Sequence, residues 1–287
     1  MERSLPDNRR DPAARRAVIT GSSRGLGKAL LQHFRNRGWD VAGFARTGEE
    51  YLGDVNDPAS VQHFMSAFCE PAGGDPGLDL LVCCASNAFG GRFEDVPPHE
   101  VASALAADAT GAMVAVRTAL PFLRQRPGSS VVLINSFAGF AGVPGFAAYS
   151  AAKASVDAFA QAIRMEMEGS DPAILQLFLG ALEEDAQSVR TAWTQGGKTQ
   201  LRPMRTLRLF PGASTPIATV DVAETIEGAL GQSRDIYLPR SLALMHAMAR
   251  HSPRLFRRLV RSFYQRRVPE MLGEGGAARH RDSDRPA

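Results

Sequence analysis

The 287-residue chain predicts a doubly wound α/β domain, a parallel sheet covered by helices on both faces in three layers. Two observations carry this. Short apolar runs alternate with longer helical stretches, which is the order that buries a parallel sheet from both sides. The first run, Ala17-Val18-Ile19, leads directly into Thr20-Gly21-Ser22-Ser23-Arg24-Gly25-Leu26-Gly27, a glycine-rich turn that opens a helix. With 44% hydrophobic and 22% charged residues the chain can bury one large core.

Strands are expected at Ala17-Thr20, Asp40-Phe44, Leu80-Cys84, Ser130-Asn135, Ala173-Phe178 and Ile236-Leu238, with a short one near Tyr51-Leu52. Helices are expected near Gly27-Arg37, Ala59-Phe68, Pro98-Arg124, Tyr149-Glu168 and Val222-Leu230. Leu182 to Pro216 is polar and poorly periodic, and reads equally as a mobile cover or as a plain surface loop. The expected organisation is a disordered lead-in over 1–14, the sheet domain over 15–240, a basic helical extension over 241–270 and a disordered tail over 271–287. The lead-in mixes Asp7 and Asp11 with arginines and has no apolar core, unlike a secretory signal. No run approaches the roughly 20 apolar residues that span a bilayer. Three cysteines, with Cys83 and Cys84 adjacent, make no disulfide framework, and the scattered histidines make no metal site. A reducing cytoplasm is the expected compartment.

The glycine-rich loop has a physical reading. A tight turn after a strand needs residues tolerant of positive φ, and glycine supplies them. The helix that follows offers unpaired N–H groups and the positive end of its dipole to a pyrophosphate. Gly21, Ser23, Arg24, Gly25, Leu26 and Gly27 are therefore the cofactor-binding candidates, although a plain turn would look the same. A second cluster decides for chemistry. Tyr149 and Lys153 stand at i and i+4, one face of a helix, and Ser136 follows the apolar run Val131-Val132-Leu133-Ile134.

On these residues the chain resembles a short-chain dehydrogenase/reductase, roughly from Arg15 to Arg240, and the resemblance implies a Rossmann-like fold and hydride transfer with a nicotinamide cofactor. Gly77-Leu78-Asp79-Leu80-Leu81-Val82 resembles the family's fourth strand, and Leu52-Gly53-Asp54-Val55-Asn56-Asp57 the segment whose Asp54 and Val55 meet adenine. A free tyrosine titrates at about 10, and a nearby ammonium favours its phenolate. Tyr149 is thus the expected general acid in reduction of a ketone or aldehyde, or base in oxidation of an alcohol. The resemblance implies that Lys153 also holds the nicotinamide ribose and that Ser136 holds the carbonyl oxygen. It places Ala85, Ser86 and Gly180 beside the cofactor. Arg24 and Arg46 offer cations where an NAD site would carry an acid, which points to NADP(H) over the plain alternative of two solvated arginines.

Four positions depart from the family pattern. Cys83-Cys84-Ala85-Ser86 stands for Asn-Asn-Ala-Gly, and Asp108 for the asparagine of a water-linked proton path. Leu179-Gly180 stands for Pro-Gly, and Glu184 lies near the threonine that meets the nicotinamide amide. Asp108 would pair with Lys153 or accept from water. A non-catalytic dinucleotide sensor or scaffold is the competing function. The helices at Pro98-Arg124 and Tyr149-Glu168 are alanine-rich and match the family's subunit interface, implying a homodimer or homotetramer.

Arg250 to Val268 holds seven arginines and no acid, so the basic balance of the chain comes from this one segment. Leu255, Phe256, Leu259, Val260, Phe263 and Tyr264 share one helical face, with Arg254, Arg257, Arg258, Arg261 and Arg266 largely opposite. The pattern fits peripheral contact with anionic lipid, or packing on the subunit with a solvated basic face. Nucleic acid is not expected, because the apolar stripe would have no role there.

Overall fold

The computed structural model describes residues 14–48, 50–70, 76–183, 190–195, 198–203 and 216–265. Its strands are β1 (Arg16–Thr20), β2 (Asp40–Ala45), β3 (Tyr51–Leu52), β4 (Leu80–Cys83), β5 (Phe89–Gly91), β6 (Ser130–Ser136), β7 (Ala173–Leu179), β8 (Arg190–Gln195), β9 (Lys198–Pro203) and β10 (Arg234–Leu238). The helices are α1 (Gly25–Asn36), α2 (Pro58–Cys69), α3 (Pro98–Leu105), α4 (Gly111–Leu123), α5 (Ala147–Glu166), α6 (Thr219–Glu227), α7 (Ser241–His251) and α8 (Pro253–Gln265).

Seven strands form one parallel sheet in the order β3-β2-β1-β4-β6-β7-β10. The period-2 alternation of a strand splits its residues between two cores. Val18 of β1 packs with Phe64 and Phe68 of α2, Val116 and Phe122 of α4 and Val156 of α5. Ala17 and Ile19 face the other way, onto Leu30 and Phe34 of α1 and Val222 and Ile226 of α6. Both faces are covered, so β1 is wholly buried and its alternation is invisible in hydropathy. The chain leaves β1 toward β2 and β3, then crosses back to β4. That reversal opens a crevice at the carboxyl ends of β1 and β4, the usual ligand position in such a sheet.

The expected strands and helices are present, with four corrections. The helix expected over Pro98-Arg124 is broken by a π turn at Ala106–Thr110, whose extra residue turns Ala107, Asp108 and Ala109 inward in succession. Helix α5 begins at Ala147, so Tyr149 sits in its first turn. The segment Leu182 to Pro216, read as structureless, contains the antiparallel pair β8–β9, and β8 runs parallel to β5 in a second sheet. Its pairing strand β5 lies far earlier in the chain, where local periodicity carries no trace of it.

The basic segment is two helices rather than one. Ser252 leaves the helical conformation, with φ of −135° and ψ of 59°, before Pro253, which disfavours that conformation in its predecessor. Phe256, Val260 and Tyr264 of α8 are buried against Phe137, Val143, Phe146, Leu242 and Met245. Leu255 and Leu259 remain 52% and 42% exposed, so only part of the apolar face packs on the subunit. The lead-in up to residue 13, Glu184, Arg266 and the tail over 271–287 lie outside the described residues.

Candidate active site

The glycine-rich loop follows from close packing. Gly21 has φ of +72°, and a Cβ there would lie 2.6 Å from Ala85 Cα and 2.7 Å from Ala85 N. Only glycine lets the loop after β1 rest on the loop after β4. A Cβ on Gly27 would meet the carbonyl oxygen of Gly21, so glycine is needed where α1 approaches its own turn. Gly25 also has positive φ. Leu26 is buried beneath the loop, whereas Ser23 is half-buried and Arg24 is exposed.

Thr20 ties the two loops together. Its Oγ1 accepts from Cys84 N at 3.1 Å and from Ala85 N at 3.3 Å. Sequence reasoning missed this role, for which the only signal was a hydroxyl at the strand end.

The loop suits a dinucleotide in three ways. Helix α1 has no side-chain cap, so its first N–H groups remain available to an anion. The glycines clear its approach. Ser22 Oγ is buried and has no protein acceptor or donor among the described residues. These residues fit a nicotinamide dinucleotide. At the end of β2, Arg46 is exposed, and a Cβ on nearby Gly48 would lie 3.4 Å from Ser23 Cβ, so the loops bearing Arg24 and Arg46 adjoin. Of the two acids that follow, Glu49 lies outside the described residues and Glu50 is held in a bidentate pair by Arg35 at 2.9 and 2.8 Å.

Other candidates on the cofactor side are engaged locally. Asp54 Oδ1 accepts from the backbone and side-chain nitrogens of Asn56, each at 2.9 Å. Val55 is buried in the core. Gly180 donates its N–H to Leu238 O at 2.7 Å, so that amide serves the β7–β10 edge.

The candidate reacting cluster gathers from two elements. Ser136 ends β6, and its Oγ accepts from Ala138 N at 3.3 Å. Tyr149 and Lys153 share a face of α5, with Lys153 Nζ 5.6 Å from the Tyr149 ring centroid. Tyr149 also touches the cluster that contains Phe137, the residue after Ser136. The sequence thus placed Ser136, Tyr149 and Lys153 on the right elements, and the fold brings those elements together.

Lys153 is 4% exposed and its Nζ lies 2.8 Å from Asp108 Oδ1, whose side chain is fully buried. Nζ also donates to Ile134 O at 3.0 Å. Of the two roles open to Asp108, the structure takes the pair. Burial alone would push Lys153 down, but the Asp108 charge, Tyr149 and the Asp108 hydrogen bond outweigh it and leave Lys153 well above the ordinary lysine range. Asp108 further accepts from Ser86 Oγ at 2.7 Å and from Asn87 N at 2.9 Å. Two departures from the family pattern, Ser86 and Asp108, therefore contact each other.

Asn135 is a second residue that sequence reasoning missed. Its Nδ2 donates to Lys153 O at 3.1 Å, and its Oδ1 accepts from Ser136 N at 2.7 Å. It is buried and joins β6 to α5 behind Ser136 and Lys153, and an amide closing an apolar strand was the available clue. Burial pushes the Cys69 and Cys83 thiols up to about 12, so both stay protonated, and no disulfide forms among the three cysteines.

Comparison with known proteins agrees with this arrangement. The chain is 28% identical over 188 residues to an uncharacterized oxidoreductase of Myxococcus xanthus, covering 60% of this chain and 73% of that protein. A short-chain dehydrogenase from Streptomyces avermitilis superposes with a TM-score of 0.69 at 22% identity, covering 92% of this chain and 99% of the other. An alcohol dehydrogenase from Thermococcus sibiricus, solved with 5-hydroxy-NADP, superposes with a TM-score of 0.59 at 19% identity over 78% of this chain and 95% of that one. The short chain dehydrogenase family matches residues 15–193, which span the glycine-rich loop, Ser136, Tyr149 and Lys153. With that match laid over the parallel sheet and its crevice, the chain belongs to the short-chain dehydrogenase family of oxidoreductases, built on a nicotinamide-dinucleotide-binding fold.

Proposed function

We propose that this protein is an NADP(H)-dependent oxidoreductase that reduces a ketone or aldehyde, or oxidises the corresponding alcohol, with Tyr149 as the proton donor or acceptor. The observation that carries the reading is the placement of Lys153 Nζ 5.6 Å from the Tyr149 ring, on a helix that packs against the turn after Ser136. The hydride would come from, or go to, a nicotinamide held when the cofactor is bound. Ser136 holds the substrate oxygen by hydrogen bonding, and Tyr149 passes its hydroxyl proton to that oxygen as charge develops. Lys153 is fixed by Asp108 and Ile134, so its ammonium stays below the tyrosine throughout.

The preference for NADP(H) rests on Arg24 and Arg46 on adjoining loops, with Glu50 neutralised by Arg35. Two guanidinium groups suit a 2′-phosphate. The neighbour from Thermococcus sibiricus was solved with an NADP derivative, which accords with this preference. The decisive experiment is NADPH consumption across a carbonyl panel by the wild type and Tyr149→Phe. The variant should bind NADPH as the wild type does and lose nearly all turnover. Retention of more than a tenth of the rate would refute Tyr149 as donor. Binding without any turnover of the wild type would favour the sensor or scaffold reading.

We also infer peripheral contact between α8 and an anionic membrane surface. Leu255 and Leu259 stay exposed, and Arg254 and Arg258, also exposed, lie on the adjoining sector of the helix. No helix among the described residues is long and apolar enough to cross a membrane. Flotation of the full chain with phosphatidylserine vesicles tests this, and undiminished flotation of a Leu255→Ser/Leu259→Ser variant would refute it.

A further inference from the structure

The carboxylate of Asp108 takes no part in the hydride or proton transfers proposed above, yet it is buried and three donors converge on it. Lys153 Nζ and Ser86 Oγ both donate to Oδ1, at 2.8 and 2.7 Å, and Asn87 N donates to Oδ2 at 2.9 Å. Asn87 is itself fixed, its Nδ2 donating to Ser103 Oγ of α3 at 2.9 Å. Both carboxylate oxygens thus act as acceptors, and of the three donors Lys153 alone carries a charge. The π turn at Ala106–Thr110 aims it at α5.

We propose that Asp108 is a positioning residue whose charge offsets that of Lys153 and biases Tyr149 toward its protonated, proton-donating form. The inference rests on Tyr149 being the proton donor of the reaction. An isolated ammonium 5.6 Å from the ring would favour the phenolate strongly, since charges interact more strongly in a dry interior than in water. An ammonium whose carboxylate lies 2.8 Å away acts instead as a compact neutral pair, and its field fades quickly with distance. The other titratable groups near Lys153 are Tyr149 on its own helix and, from the end of β4, Cys83 and Cys84; the Cys83 thiol stays neutral. Asp108 is thus the group that decides how much of the lysine charge the tyrosine feels. A tyrosine that keeps its proton is suited to carbonyl reduction near neutral pH, and alcohol oxidation would gain only as the pH rises.

Titration of phenolate absorbance in the cofactor-free full chain tests this without turnover. Subtraction of the Tyr149→Phe curve isolates Tyr149 from Tyr51, and burial pushes Tyr237 up to about 12 and Tyr264 higher still. Asp108→Asn keeps the shape and removes the charge, and Asp108→Ser also clears the space before the Asn87 amide. Each should lower the Tyr149 midpoint by at least about one pH unit, a tenfold loss of proton affinity. Ser86→Ala leaves both charges in place and should not lower the midpoint. The alkaline limb of alcohol oxidation should move with the midpoint in each variant. Unmoved midpoints in the folded Asp108 variants would overturn the proposal. So would a fall in Ser86→Ala as large as one unit, a result that stands even where the Asp108 variants do not fold. A midpoint that shifts as expected in a protein that reduces no carbonyl would sink the proposed function and leave the role of Asp108 intact.

Discussion

Gly21 and Gly38 offer a matched pair of substitutions that separates backbone conformation from contact. Both have positive φ, +72° and +81°. A Cβ on Gly38 would meet nothing within 4 Å. A Cβ on Gly21 would lie 2.6 Å from Ala85 Cα, 2.7 Å from Ala85 N and 2.9 Å from Cys84 C, all backbone atoms that cannot rotate away. Alanine in the left-handed region costs about 1–2 kcal/mol at either site. The stiffer unfolded chain returns about 0.4–1 kcal/mol of that in both cases. Overpacking adds about 1–3 kcal/mol at Gly21 alone. Gly21→Ala should therefore melt roughly 2–12 °C below Gly38→Ala, at about 2–4 °C per kcal/mol for a domain of this size. It should also weaken NADPH binding, because the displaced β4 loop carries the amides that Thr20 holds and leads into Ser86. Thermal unfolding followed by circular dichroism and NADPH fluorescence titration read the two effects. Equal melting temperatures and equal cofactor affinities for the two variants would refute the argument that glycine at 21 is required by contact with Ala85.

Arg46→Ala should cut the preference for NADPH over NADH by about tenfold or more, since a charge-assisted bond is worth roughly 1.5–3 kcal/mol; parallel titrations with the two cofactors check it. Burial holds His246 below its ordinary value of 6.5, with Tyr237 Oη 2.8 Å from its Nδ1. The fold prefers the neutral ring, so the unfolded chain binds the extra proton and this contribution is complete above pH 6.5 and lost as pH falls below it. The melting temperature should drop between about pH 7.5 and 5.5, and less so in His246→Phe. A second copy of the chain is expected to cover the outer faces of α3, α4 and α5, where Leu105, Met113 and Met165 are exposed; a monomer by light scattering at micromolar concentration would refute it.

Much of this protein was determined by sequence alone, and the reason is locality. The turn after Ala17-Val18-Ile19 needs glycines within a few residues of one another, and helical spacing alone sets Tyr149 over Lys153. The alternation of strand and helix implied the parallel sheet because each element must bury its own apolar side. Partners distant in sequence were decided only by the tertiary structure. Periodicity showed one apolar face on α8, but which half of it packs depended on Phe137, Phe146 and Met245 arriving from other elements. The hairpin β8–β9 acquired its place through β5. Asp108 was legible as an oddity, and its alternatives stayed open until the π turn aimed it at Lys153 and the β4 loop brought Ser86 to the same carboxylate oxygen. Sequence spacing within a helix or turn specifies geometry directly, whereas a buried ion pair between α5 and the α3–α4 junction exists only once the sheet has set both against the same crevice.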